Sequence, residues 1–107
     1  MSLSKLIQAV EAGSRDNDFW SAVHVIPAMH ITDVTLARDG SLDAAKRLHD
    51  ALLPGWFPGL SQNVHTGFWF AWVQTKRDHH FAATGDDPAR CWLLAILRAL
   101  EQEGRDE

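Results

Sequence analysis

The sequence predicts an α+β fold: a small, mostly antiparallel sheet of three to four strands sandwiched between helical layers, an α/β/α sandwich. Three features predict it. Segments near both ends carry apolar residues at helical spacing. In the middle, Phe68 to Thr75 alternates with apolar residues on both sides, so this strand is central and wants cover above and below. Finally, Pro-Gly pairs and short polar clusters divide the chain at brief intervals, leaving no long linker. With 107 residues the chain has room for one core, hence one domain over 1–107, with a frayed polar tail from about 104.

Each element follows from local chemistry. Leu3, Leu6, Ile7 and Val10 form the stripe of an amphipathic helix over 3–12, which Gly13 stops. The cluster Asp16-Asn17-Asp18 offers caps for a second short helix with Phe19, Ala22, Val23 and Ile26 inward, ended by Pro27. From Ile31 to Ala37, Thr32, Val34 and Leu36 alternate with Asp33 and Thr35, which reads as a strand. Arg38-Asp39-Gly40 turns the chain. Ser41 is the N-cap of a helix to about Leu53, whose arc is Ala44, Ala45, Leu48, Ala51 and Leu52. Pro54-Gly55 terminates it, and Pro58-Gly59 confines a strand over 56–61 to a sheet edge. Phe68 to Thr75 pairs with His79 to Thr84 in a hairpin joined by Lys76-Arg77-Asp78. Asp87 as N-cap and Pro88 at the first helical position start a helix to about Glu103. Its broad apolar face leaves Cys91 and Leu94 on the polar side.

Composition narrows the function classes. The formal net charge of −4, with scattered rather than clustered positive residues, disfavours nonspecific binding to nucleic acid. The most apolar stretch, Cys91 to Leu97, is too short to span a bilayer, and the first residues lack signal-peptide character, so a cytosolic location is expected. One cysteine allows neither an intrachain disulfide nor a thiolate cluster, and Cys91 reads as a packing thiol.

Three stretches together resemble one family. They are Leu6-Ile7 through Val10-Glu11-Ala12-Gly13 with Asp16-Asn17-Asp18; Ser41-Leu42-Asp43-Ala44-Ala45 leading into Leu52-Leu53-Pro54-Gly55-Trp56; and Pro88-Ala89-Arg90-Cys91-Trp92-Leu93-Leu94-Ala95. In this order, and with the Leu-Pro-Gly-Trp junction, they resemble the phage ABA sandwich domain, found in small phage and prophage proteins of unknown function. The resemblance implies one sheet between helical layers and a phage or prophage origin. It implies no catalytic or binding residue.

Six histidines are many for this length, yet His24, His30, His49, His65, His79 and His80 show no zinc-binding spacing. Adjacent His79 and His80 point to opposite faces of a strand. Ser41 and Ser61 lack a nucleophile-elbow context, and the paired carboxylates Asp86-Asp87 and Asp16, Asp18 are explained as caps. No catalytic residue, cofactor or metal site is therefore assigned. Five tryptophans without a tyrosine call for an account: Trp69, Trp72 and Trp92 fit the core, whereas Trp20 lies beside its helix stripe one turn before His24, and Trp56 with Phe57 sits between two prolines. Aromatics at such positions either cap the edges of a small core or act as partner anchors. Cys91 and Leu94 on the last helix's polar side suit a homodimer contact.

The leading expectation is thus a noncatalytic phage or prophage accessory protein acting through protein–protein interaction, with a phage or host protein or a second copy as partner. The anchors would be Trp20, His24, Trp56, Phe57, Cys91 and Leu94. The alternative is nucleic-acid binding through a hairpin tip built from Lys76, Arg77, His79 and His80. A small histidine-dependent hydrolase comes third.

Overall fold

The computed structural model describes residues 3–14, 16–75 and 80–103. Helix α1 (Leu3–Glu11) buries Leu3, Leu6, Ile7, Ala9 and Val10. It closes in a Schellman motif: Gly13 adopts φ +71°, its amide donates to the Val10 carbonyl, and the Ser14 amide donates to that of Ala9. Helix α2 (Asn17–Ala22) is capped by Asp16, whose carboxylate accepts from the Asp18 amide at 3.1 Å. A 3-10 turn (Val23–Val25) carries the chain to Pro27.

The segment after Pro27 is helix α3 (Ala28–Arg38), not the expected strand. Residues Ile31, Val34 and Arg38 fall on one helical face, which is what packs inward, while Thr32 and Leu36 are exposed. In a strand, those two would have shared a face with Val34. The Thr35 hydroxyl donates to the Ile31 carbonyl at 2.9 Å, so a β-branched residue is accommodated within the helix. A second Schellman motif ends α3, with Gly40 at φ +109° and the Ser41 amide donating to the Leu36 carbonyl. Ser41 then caps α4 (Leu42–Leu52) through the Ala44 amide at 3.1 Å.

Strands β1 (Phe57–Gln62), β2 (Trp69–Gln74) and β3 (His80–Gly85) form one antiparallel sheet in the order β1-β2-β3. The hairpin and the edge position of β1 agree with the sequence. So does the start of α5 (Pro88–Gln102), where the Asp87 carboxylate accepts from the Arg90 amide at 2.9 Å and Pro88 opens the helix.

The layering has its centre in α5. This helix rests on β2 and β3 on one side and on α1, α3 and α4 on the other. It is buried almost all round: Cys91 is 1% exposed and Leu94 5%. Arg90, Arg98 and Glu101 are half-buried and Gln102 exposed, but Cys91 and Leu94 do not lie on that polar side as expected, because a helix held between a sheet and a helical layer is apolar in both directions. The α+β class and the three-stranded antiparallel sheet agree with the sequence, but the two-sided cover expected for β2 is met on one face only. Ala71, Val73 and Ala83 turn toward α5 and are buried, whereas Phe70 on the opposite face is 37% exposed. Among the described residues no helix is long and apolar enough to cross a membrane.

Candidate interaction surface

Strand register places three cross-strand rows on the outer face: Phe57, Gln74 and His80; Gly59, Trp72 and Ala82; Ser61, Phe70 and Thr84. The middle row shapes the surface. Gly59 and Ala82 flank Trp72 with next to no side chain, and the indole lies across Gly59, where a Cβ would fall 1.9 Å from the ring. Trp72 is thus laid flat on the sheet. The Phe70 ring follows at 5.4 Å, tilted by 33°, within the separation at which aromatic rings interact. Phe57 is 53% exposed at one end, and Phe68, just before β2, is 57% exposed. Antiparallel sheets with one open face ordinarily turn polar residues outward; this one turns out phenylalanine and tryptophan.

The residues expected to anchor a partner are divided by the structure. Phe57 belongs to the aromatic face. Trp20, 44% exposed, stands edge-on to Phe19 (5.2 Å, 84°) on α2, and His24 is exposed on the following turn. Because α2 packs on α1 and the sheet on α5, Trp20 and His24 present from a different layer. Trp56 is half-buried, with its ring 6.0 Å from that of Phe81 and its carbonyl engaged by His49. Cys91 and Leu94 are core residues and unavailable for a surface contact. The Cys91 thiol faces β2, 3.8 Å from the Trp69 carbonyl, and burial, reinforced by the Asp87 charge, pushes its pKa up. Such a thiol is a poor nucleophile. Lys76, Arg77 and His79 of the hairpin tip lie outside the described residues; His80 is exposed at the start of β3.

Several of the groups weighed for catalysis are engaged structurally. His49, 2% exposed, donates from Nε2 to the Trp56 carbonyl at 2.9 Å and accepts the Trp92 indole N–H at Nδ1 (3.3 Å). Its neighbour Asp50 bonds Lys46 at 2.8 Å instead. Ser41, Asp16 and Asp87 hold helix ends. Among the described residues no three His, Cys, Asp or Glu side chains gather as a metal would require.

Sequence reasoning missed two features. Arg38, placed in a turn, is 5% exposed: its guanidinium stacks 4.3 Å from the Phe19 ring centroid and grips both Asp39 oxygens at 3.0 Å, leaving Nη1 without a hydrogen bond. The outward aromatic face was the second, although its signal was present in the double-sided apolarity of β2. Comparison with protein-family models, characterised proteins and solved structures finds no match to this chain.

Proposed function

We propose that this chain is a noncatalytic protein-interaction module that docks its partner on the outer face of the β-sheet. The observation that carries the reading is the outward aromatic surface of Phe57, Phe70 and Trp72, with exposed Phe68 just before β2; the three phenylalanines are each more than a third exposed. Exposed aromatic patches rimmed by polar side chains mark interaction sites, and aromatic anchors dominate binding energy at interfaces. Here Ser61, Gln74, His80 and Thr84 supply the rim. On the resemblance to the phage ABA sandwich domain, the setting is that of a phage or prophage accessory protein in a bacterial cytoplasm.

A photo-cross-linking residue at position 70, compared with one at exposed Lys46 on α4, tests the reading in cells. Protein adducts that form from position 70 and not from 46 are expected; no adduct, or equal adducts from both, contradicts it. The same aromatic plate would stack bases if it served nucleic acid. Titration of labelled single strands at low salt checks this, and no binding at micromolar protein is expected, since none of the described outward positions is Lys or Arg.

A further inference from the structure

Resting on the docking face just proposed, we infer that its occupant is a second copy of this chain, seated face to face across a two-fold axis. Charge argues first. Each copy carries a formal net charge of −4, so a neutral surface is where two copies meet with least like-charge repulsion. None of the outward positions in the three rows is Asp, Glu, Lys or Arg. A foreign partner of an acidic protein would ordinarily be steered by complementary charge in or around the contact. Among the described residues of the three rows, this face offers no Asp, Glu, Lys or Arg.

Shape argues second. With Trp72 laid flat between Gly59 and Ala82, the plate has the low relief that sheet-on-sheet packing needs, with two inner faces ~10 Å apart and strands within ~30° of one another. A two-fold axis then sets the same aromatic rows of both copies against each other, which is how a self-complementary interface arises.

Area argues third. Taking ~200 Å² for each ring side chain, the exposed fractions of Phe57, Phe68 and Phe70 (53%, 57% and 37%) leave about 300 Å² bare. The Trp72 indole and the polar rim of Ser61, Gln74, His80 and Thr84 add to this on each side, toward the ~800 Å² of a standard interface. Edge-to-edge pairing is the competing way for two sheets to join, and both edges are blunted. Pro58 lacks an amide proton on β1, and Arg98 donates to the Ala82 carbonyl on edge strand β3 at 2.7 Å.

Sedimentation equilibrium of the purified full chain, from low micromolar to several hundred micromolar, reads the outcome. A reversible dimer, twice the 12.0 kDa chain mass, is expected. Phe70→Asp and, separately, Phe57→Asp should each weaken association at least tenfold with an unchanged far-ultraviolet spectrum, while Met29→Asp, on exposed α3 surface, should not. Two partly exposed positions are used so that misfolding of one variant leaves the other to decide. A wild-type monomer throughout the range, or a dimer indifferent to both sheet-face changes, overturns the inference. A monomer that still forms protein adducts from position 70 removes the second copy and leaves the docking face standing; loss of both removes the face as well.

Discussion

Replacing His49 by alanine deletes an imidazole that ties α4 both to the chain entering β1 and to α5. The structure sets the size of the effect. At 2% exposure the ring is wholly interior, with Nε2 bonded to the Trp56 carbonyl and Nδ1 to the Trp92 indole N–H. Its loss orphans one acceptor and one donor, each costing about 1–3 kcal/mol when buried, and opens a cavity beneath the Trp92 ring, whose centroid is 5.7 Å from the imidazole. Trp56 and Trp92 are only half-buried, so water can reach part of the gap and the lower end applies. A total near 3 kcal/mol is expected, a large fraction of the ~5–15 kcal/mol available to a domain. His49→Gln separates the causes: its amide can donate to Trp56 and accept from Trp92, so it should recover at least half of the loss. Urea denaturation followed by tryptophan fluorescence measures all three proteins. A loss below about 0.5 kcal/mol for alanine, or a glutamine variant no better than alanine, would refute the bridging role.

Other outcomes follow from the same geometry. The Cys91 thiol, its pKa raised chiefly by burial, should resist an aromatic disulfide reagent in native buffer and react fully in denaturant; rapid native labelling would show that α5 is not enclosed by the sheet. Gly59→Ala should drive the Trp72 indole off the sheet, since its Cβ falls 1.9 Å from the ring, at about 1–3 kcal/mol. A red-shifted emission would report it, and an unshifted spectrum would contradict the flat placement. The Asp16 carboxyl is held below its ordinary value of 3.8, first by the Ser14 hydroxyl and then by the Asp18 amide. A depressed carboxylate contributes stability that is present above that ordinary value and lost as pH falls through the lower folded one. Asp16→Asn should therefore flatten the acid limb of stability against pH; an unchanged limb would deny the linkage.

Much of the fold is legible in the sequence because it is written in short-range chemistry. Asp16, Ser41 and Asp87 cap the helices they precede, Gly13 ends α1, and Pro58 keeps β1 at an edge. The errors arise where tertiary packing decides. Val34 between Thr32 and Leu36 alternates as a strand would, but α3 buries Val34 with Ile31 and Arg38, and Arg38-Asp39-Gly40 has the composition of a turn although Gly40 forms the left-handed end of a helix. Cys91 and Leu94 fall off the broad stripe of α5, and only the sheet on its second side shows why they are apolar. The site was half visible. The sequence of β2 shows two greasy faces and predicts internal cover for both, whereas the helices cover the Ala71 and Val73 side and leave Phe70 and Trp72 outward. Nothing in the local pattern tells a strand covered by its own chain from one covered by another.

Paramagnetic relaxation of the phenylalanine ring protons by a soluble gadolinium chelate, recorded across a dilution series, tests the open aromatic plate and its occupant together. Strong relaxation of Phe57 and Phe70 at low protein concentration, giving way to protection as concentration rises while Phe19 stays protected throughout, is the result expected. Protection of Phe57 and Phe70 at every dilution would show that the chain covers this side itself, and exposure at every concentration would show that no second copy settles on it.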